Sequence, residues 1–235
     1  MTYIESPLLG VKSKKQLKYV LKIPNNKYFK RSYISGLIHP YIEYKNGKQR
    51  LIEPPDDNLK AIQKRLKKIL SNIDVPDNIF SGVKGRSYYD NAKIHIGNKY
   101  VYKLDLTAFF PNTSHEKVYQ FFKERFQVSP DIADFLTNIT TVDLDLSTPE
   151  NSTEINSFLF EKGIKTRNHL ISGAPTSQIL SYFANQDMFK ELQILANKNG
   201  VTMSVYVDDI TFYSANHISY RFRTLVHNII HHYGC

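Results

Sequence analysis

Between Ser204 and Ser214 the chain reads SVYVDDITFYS. Two runs of β-branched and aromatic residues flank an adjacent pair of aspartates, Asp208 and Asp209. Such runs favour strands, so the segment predicts a hairpin with both carboxylates at the strand junction. That placement is costly, because adjacent carboxylates in a half-buried sheet repel each other and lose hydration. The turn preference of aspartate explains one of them. It leaves unexplained why neither flank carries a cation, the nearest basic residues in the chain being Lys198 and Arg221. A bound divalent cation relieves the cost, since hard cations take oxygen ligands and Mg²⁺ commonly combines one or two carboxylates with substrate phosphates. A second pair, Asp56-Asp57, is the internal control. It follows Pro54-Pro55 and precedes a helix pattern, where capping and the helix macrodipole account for it.

A metal site of this kind needs a further carboxylate from elsewhere. Asp105, in YVYKLDLTAFF, ends a β-prone run and is followed by a Phe-Phe able to wall a pocket. Asp143 and Asp145, in VDLDLS, compete by spacing but lie in a polar stretch without a strand scaffold. Two metals held by such carboxylates would act on a nucleoside triphosphate, one activating a 3′-hydroxyl and the other steadying the pyrophosphate. Cationic side chains must then meet the triphosphate. Lys48 and Arg50 follow Asn46-Gly47 on a ribbon that suits them to it.

The rest of the chain agrees with a polyanionic partner. Over 235 residues the formal charge is +9, which points to nucleic acid first and an anionic membrane surface second. The chain is long enough to bury a core, with 41% hydrophobic residues. The lone cysteine is Cys235, so no intrachain disulfide or cysteine metal site arises. The start, MTYIESPLLGVKSKK, lacks a signal pattern, and no run has the length of a membrane span. The expectation is a soluble cytoplasmic protein with no membrane partner.

Local patterns predict irregularly alternating helices and strands, hence an α+β class. SKKQLKYVLKI predicts a short helix capped by Ser13. HPYIEYKNGKQRLIEPP predicts a hairpin turning at Asn46-Gly47. DNLKAIQKRLKKILSNI predicts an amphipathic helix with Leu59, Ile62, Leu66, Ile69 and Leu70 on one face and basic residues on the other. Residues 142–168 are polar and weakly periodic, which predicts a surface insertion with one short helix near NSFLF. APTSQILSYFANQDMFKELQILANKNG predicts one long helix ending at Gly200.

Together these residues resemble a reverse transcriptase. LDLTAFFP (Leu104 to Pro111), GAPTS (Gly173 to Ser177) and YVDD (Tyr206 to Asp209) stand in the order of that family's palm motifs A, B and C. NAKIH (Asn91 to His95) is similar to the Asn-Ala-x-x-His pattern of retron-type bacterial members, and GKQRLIEPP with the basic helix after it resembles their fingers. The resemblance runs from about Ser13 to Cys235.

It implies a right-hand polymerase: an N-terminal extension and fingers over 1–95, then a palm over 96–235 whose antiparallel sheet packs on helices. It implies that Asp105, Asp208 and Asp209 bind two Mg²⁺ ions, replaceable by Mn²⁺, with the Leu106 carbonyl as a backbone ligand. Lys48 and Arg50 would contact the triphosphate. Phe110 would be a steric gate against a ribose 2′-hydroxyl, favouring dNTP. Gly173, Ala174 and Pro175 would lie by the incoming nucleotide, and Tyr206 by the primer terminus. Asn91 and His95 would serve structure or RNA handling, and Lys64 and Lys68 would meet RNA. The implied activity is RNA-templated DNA synthesis with a structured noncoding RNA as template and primer, in a retron or related phage-defence setting that often includes an effector protein.

The sequence departs from the family in three places. Motif B carries Ser172 and Gln178 where many members have Gln and Pro; the segment between motifs A and B is enlarged; and no lysine-bearing palm motif, primer grip or helical thumb is seen before HHYGC. A palm without a thumb is expected to hold primer-template poorly. Two other classes therefore stay open: a non-catalytic RNA-binding module using Lys60, Lys64, Arg65, Lys67 and Lys68, and an RNA-templated RNA polymerase, against which Phe110 argues.

Overall fold

Local capping chemistry sets the first elements of the computed structural model, which describes residues 2–147 and 149–234. Cys235 lies outside the described residues. Helix α1 (Lys14–Leu21) starts where the Ser13 side chain accepts from the Gln16 N–H, and buries Leu17 and Leu21. A short α2 (Arg31–Ser35) leads to a hairpin of β1 (Tyr41–Lys45) and β2 (Lys48–Ile52). Its turn has φ of 53° at Asn46 and 71° at Gly47, the left-handed pair that a tight primed turn requires. Asp56 caps α3 (Asp57–Leu70) by accepting from the Leu59 N–H at 2.7 Å. Leu59, Ile62, Leu66 and Leu70 of α3 are buried, and so is Gln63, which donates to the Ile139 carbonyl at 2.8 Å.

Next come α4 (Tyr88–Lys93), β3 (Tyr100–Asp105), α5 (Phe109–Asn112), α6 (His115–Arg125) and α7 (Pro130–Asn138). Then β4 (Thr141–Asp143), α8 (Ser152–Glu161) and β5 (Asn168–Leu170) form one excursion. Helices α9 (Ser177–Ala184) and α10 (Gln186–Lys198), strands β6 (Thr202–Tyr206) and β7 (Asp209–Ser214), and α11 (Tyr220–His232) complete the described chain. The mixture of helices with antiparallel ladders is α+β, as expected.

The sheet that positions the site has the order β3-β7-β6, with both pairings antiparallel. Ile210 and Phe212 of the central strand are fully buried. Phe212 meets Phe222 of α11 edge to face at 5.2 Å, seating that helix on the sheet. The outer edge of β6 is covered, because Val205 receives a parallel bridge from Ile79. Among the described residues, no helix is long and apolar enough to cross a membrane.

Two sequence expectations are corrected. Residues 142–168 carry the expected short helix at NSFLF, as α8, but they bury more apolar side chains than their polar composition suggests. β4 and β5 pair at their ends, and Val142, Leu144, Ile155, Phe158, Leu159 and Ile164 are buried. The stretch misled because its apolar residues are few, irregularly spaced and shared between short elements that bury them only together.

The second correction concerns the long helix, which is two. Asn185 leaves helical geometry with φ −117° and ψ 19°. Its buried side chain donates to the Ser181 carbonyl at 2.9 Å and the Thr113 hydroxyl at 3.0 Å, and accepts from Lys117 at 2.8 Å. A short amide that competes for backbone groups in this way breaks a helix where tertiary partners reward it. Asn185→Ala is expected to cost about 1–3 kcal/mol, because buried partners lose their hydrogen bonds. Urea unfolding measures this, and an unchanged midpoint would show that another contact imposes the break.

Candidate active site

The register of the central sheet places Asp105 directly opposite Asp209. Like charges so placed destabilise a sheet. Asp208 sits in the turn between β6 and β7, after Val207 at φ 58°. A β-branched residue in that left-handed region is strained by about 1–3 kcal/mol and is found where function over-determines the backbone. The Asp208 carbonyl accepts from the Leu106 N–H at 2.9 Å, so the pairing reaches the turn. Burial raises the Asp208 carboxyl above its ordinary value, and the Asp105 and Asp209 charges act in the same direction.

Asp209 does have a basic partner, although neither flank of the aspartate pair supplies it. Lys103 Nζ lies 2.9 Å from Asp209 Oδ1, and that bond raises the lysine's own proton affinity. Lys103 is two residues before Asp105 on β3 and so shares its face. The partner arrives through strand pairing, which the flanks of the aspartate pair do not reveal. Asp143 and Asp145 are also taken: Arg31 meets Asp143 and Arg167 meets Asp145, both at 2.6 Å.

A cleft of about 1090 Å³ opens beside the carboxylates. It brings together Asp105, Asp208, Phe110, Gly173, Lys48 and Arg50. Lys48 and Arg50 alternate along β2 and share a face. Gly173 has φ 107°, a conformation open to glycine alone, and a Cβ there would meet Ile52 at 3.8 Å. Ala174 is buried behind it and Pro175 half-buried, and neither lines the cleft. Lys162, just past α8, does line it, and sequence reasoning missed this residue. Its signal was hidden in the segment taken for a surface insertion. That segment also steadies the hairpin. Tyr44 donates to Glu154 of α8 at 2.7 Å, and Gln49 donates to the Tyr44 hydroxyl at 2.9 Å.

Tyr206, Lys64 and Lys68 meet at a different groove of about 530 Å³, together with Lys67 and Lys84. Tyr206 touches Tyr88 edge to face at 5.5 Å there. His95 and Asn91 reach neither cleft. His95 Nε2 lies 3.1 Å from the Ser204 hydroxyl and its ring abuts Tyr213, so it pins the end of α4 to the sheet. Burial lowers its pKa below the ordinary histidine value. Asn91 is buried in α4.

The donor chemistry fits a hard divalent cation: all-oxygen ligands, partly buried at Asp208 and Asp209, whose mutual repulsion a cation relieves. The ligands are not drawn into a finished cage, since among the described residues no three acidic or imidazole groups converge on one point. Asp209 turns to Lys103 instead. Carboxylates on paired strands beside a cleft rimmed by cations can hold a metal and a polyphosphate in one place.

Comparison with known proteins agrees with that class. Residues 42–231 match the family model described as reverse transcriptase (RNA-dependent DNA polymerase). The chain belongs to that family, and its relatives are of the retron type. It is 29% identical over 230 residues to the Retron Se72 reverse transcriptase of Salmonella heidelberg (strain 579083-10), covering 96% of this chain and 51% of the relative. It is 30% identical over 167 residues to the Retron Ec83 reverse transcriptase of Escherichia coli, covering 69% and 48%. It is 30% identical over 169 residues to the Retron Mx65 reverse transcriptase of Myxococcus xanthus, covering 72% and 38%. The chain thus spans about half the length, or less, of these curated relatives.

Proposed function

We propose that the chain carries the nucleotidyl-transfer site of an RNA-directed DNA polymerase of the retron type, with residues 1–95 as extension and fingers and 96–235 as palm. The observation that carries this is the cleft shared by Asp105, Asp208, Lys48, Arg50 and Phe110. Lys48 and Arg50 bind the triphosphate of an incoming dNTP, and Arg50 offers the forked donors that suit phosphate oxygens. Lys162 adds a third cation at the same cleft. Gly173 leaves room for the nucleotide, and Phe110 rejects a 2′-hydroxyl by its bulk. Asp105, Asp208 and Asp209 would hold divalent ions, which when bound would lower the pKa of a 3′-hydroxyl and stabilise the leaving pyrophosphate. The basic groove at Lys64, Lys68 and Tyr206 receives RNA. The partner is a structured noncoding RNA serving as template and primer, in the bacterial cytoplasm, in a phage-defence system with an effector protein.

Primer extension on an RNA template, run with dNTP and rNTP in competition, tests this. Phe110→Ala is expected to raise rNTP use relative to dNTP by about tenfold or more, the scale on which pocket size discriminates. An unchanged ratio would remove Phe110 from the nucleotide cleft. The alternative is an RNA-binding module that makes no DNA. The Lys103–Asp209 pair and the open ligand set favour it. Salt-sensitive RNA binding without incorporation in Mg²⁺ or Mn²⁺ would support it.

A further inference from the structure

We propose that the lysine face of α1 and the turn after it form a docking surface for the phosphate backbone of folded RNA, apart from both clefts. No acidic residue stands between Glu5 and Glu43, while seven lysines fall between Lys12 and Lys30. Helical spacing gathers Lys14, Lys18 and Lys22 on one stripe, with Lys15 and Tyr19 beside it. Leu17 and Leu21 form the buried face next to that stripe, and Tyr19 lies on the side opposite them. Tyr19 is 87% exposed, so an aromatic ring stands among the cations, a combination that nucleic-acid surfaces use.

The surface is concave and held in place. A groove of about 640 Å³ lies between α1 and the turn at residues 26–30. Lys14 sits over the Phe29 ring at 5.5 Å, and Lys18 donates to Asn26 at 3.2 Å. Arg65 of α3 donates to the Leu21 and Lys22 carbonyls, both at 3.3 Å, which anchors the end of α1. Among the described residues, no carboxylate forms an ion pair with any of these lysines.

The arrangement costs helix stability. The first turn of α1 holds Lys14 and Lys15 and no acidic residue, the wrong sign for the positive end of a helix dipole. A chain optimised only for folding would place acids there. A membrane surface is the weaker partner, because an interfacial helix inserts its apolar face into lipid, whereas the apolar face of α1 is buried against the protein. The surface precedes residues 42–231, which match the family model. The proposal takes from the functional reading only that the partner is RNA.

Fluorescence anisotropy of a labelled RNA hairpin of about 20 base pairs and arbitrary sequence, binding the whole chain across a KCl series, is the test. Lys14→Gln, Lys15→Gln, Lys18→Gln and Lys22→Gln together are compared with a charge-matched control, Lys99→Gln, Lys123→Gln, Lys190→Gln and Lys198→Gln. Loss of four phosphate contacts should weaken binding about tenfold or more near physiological salt and flatten the log–log salt dependence by about 3. The control should shift affinity less than about twofold. Equal losses in both chains, or none in the first, overturn the proposal. So does retained RNA binding with lost pelleting on phosphatidylserine vesicles. Thermal unfolding of each chain shows that the lysines act at the surface and not on the fold. Since only binding is read, a chain that incorporates no nucleotide leaves this result intact.

Discussion

Asparagine at both Asp208 and Asp209 is expected to cut nucleotide incorporation at least about a thousandfold, because metal-borne stabilisation of several kcal/mol is lost and each 1.36 kcal/mol is a factor of ten. RNA affinity should stay within about twofold, since the basic groove and the α1 surface keep their charges. The fold should survive as well. Asp209 faces Asp105 across the ladder, and Asp208 is already resisted by burial and by those two charges. Two neutral amides remove that repulsion and give up one ion pair with Lys103, a side chain 57% exposed, and pairs of that kind contribute little. Differential scanning calorimetry in a chelator should therefore find the double variant no less stable than the native chain. A large loss of melting temperature would mean that the pair serves the fold and not the chemistry.

Glu53→Ala is expected to be the most damaging single change to stability. Glu53 follows β2 and is fully buried, as is His169 of β5. One carboxyl oxygen lies 2.9 Å from His169 Nε2, and the other accepts from the Ser172 N–H at 2.7 Å. The Glu53 N–H in turn donates to the Ser172 carbonyl at 2.8 Å. One side chain thus ties the strand that carries Lys48 and Arg50 to the turn that carries Gly173. Truncating one member of a buried polar pair leaves the other unsatisfied, at about 3–5 kcal/mol. For a chain of this length that is a fall of roughly 6–20 °C in Tm. Glu53→Gln, which keeps an acceptor for either partner, should lose less than half as much. Equal losses from the two changes would show that volume, and not hydrogen bonding, is what Glu53 supplies.

Where local chemistry decides, the structure was legible in advance. The Asn46-Gly47 turn, the Asp56 cap, the apolar stripe of α3 and the β6–β7 hairpin each rest on residues within one or two turns of each other. The shared cleft of Asp105, Asp208, Lys48, Arg50, Phe110 and Gly173 was legible through ordered motifs. What escaped depends on partners distant in the chain. Lys103 reaches Asp209 only because β3 pairs with β7. Glu53 and His169 are 116 residues apart, and neither has a local pattern that announces the other. Asn185 looks like an ordinary helix residue until Thr113 and Lys117 are beside it. Lys162 and the buried residues of the 142–168 excursion were hidden by a polar composition that spoke for solvent.

Single-nucleotide extension of a labelled primer on an RNA template, by the 235-residue chain with Mg²⁺ or Mn²⁺, tests the central claim most directly. Four templates differing only in the base after the primer end should each select their complementary dNTP, and addition should vanish in the chain carrying Asp208→Asn and Asp209→Asn. Addition that ignores the template base, that survives the double change, or that never occurs although the chain binds the template would contradict it.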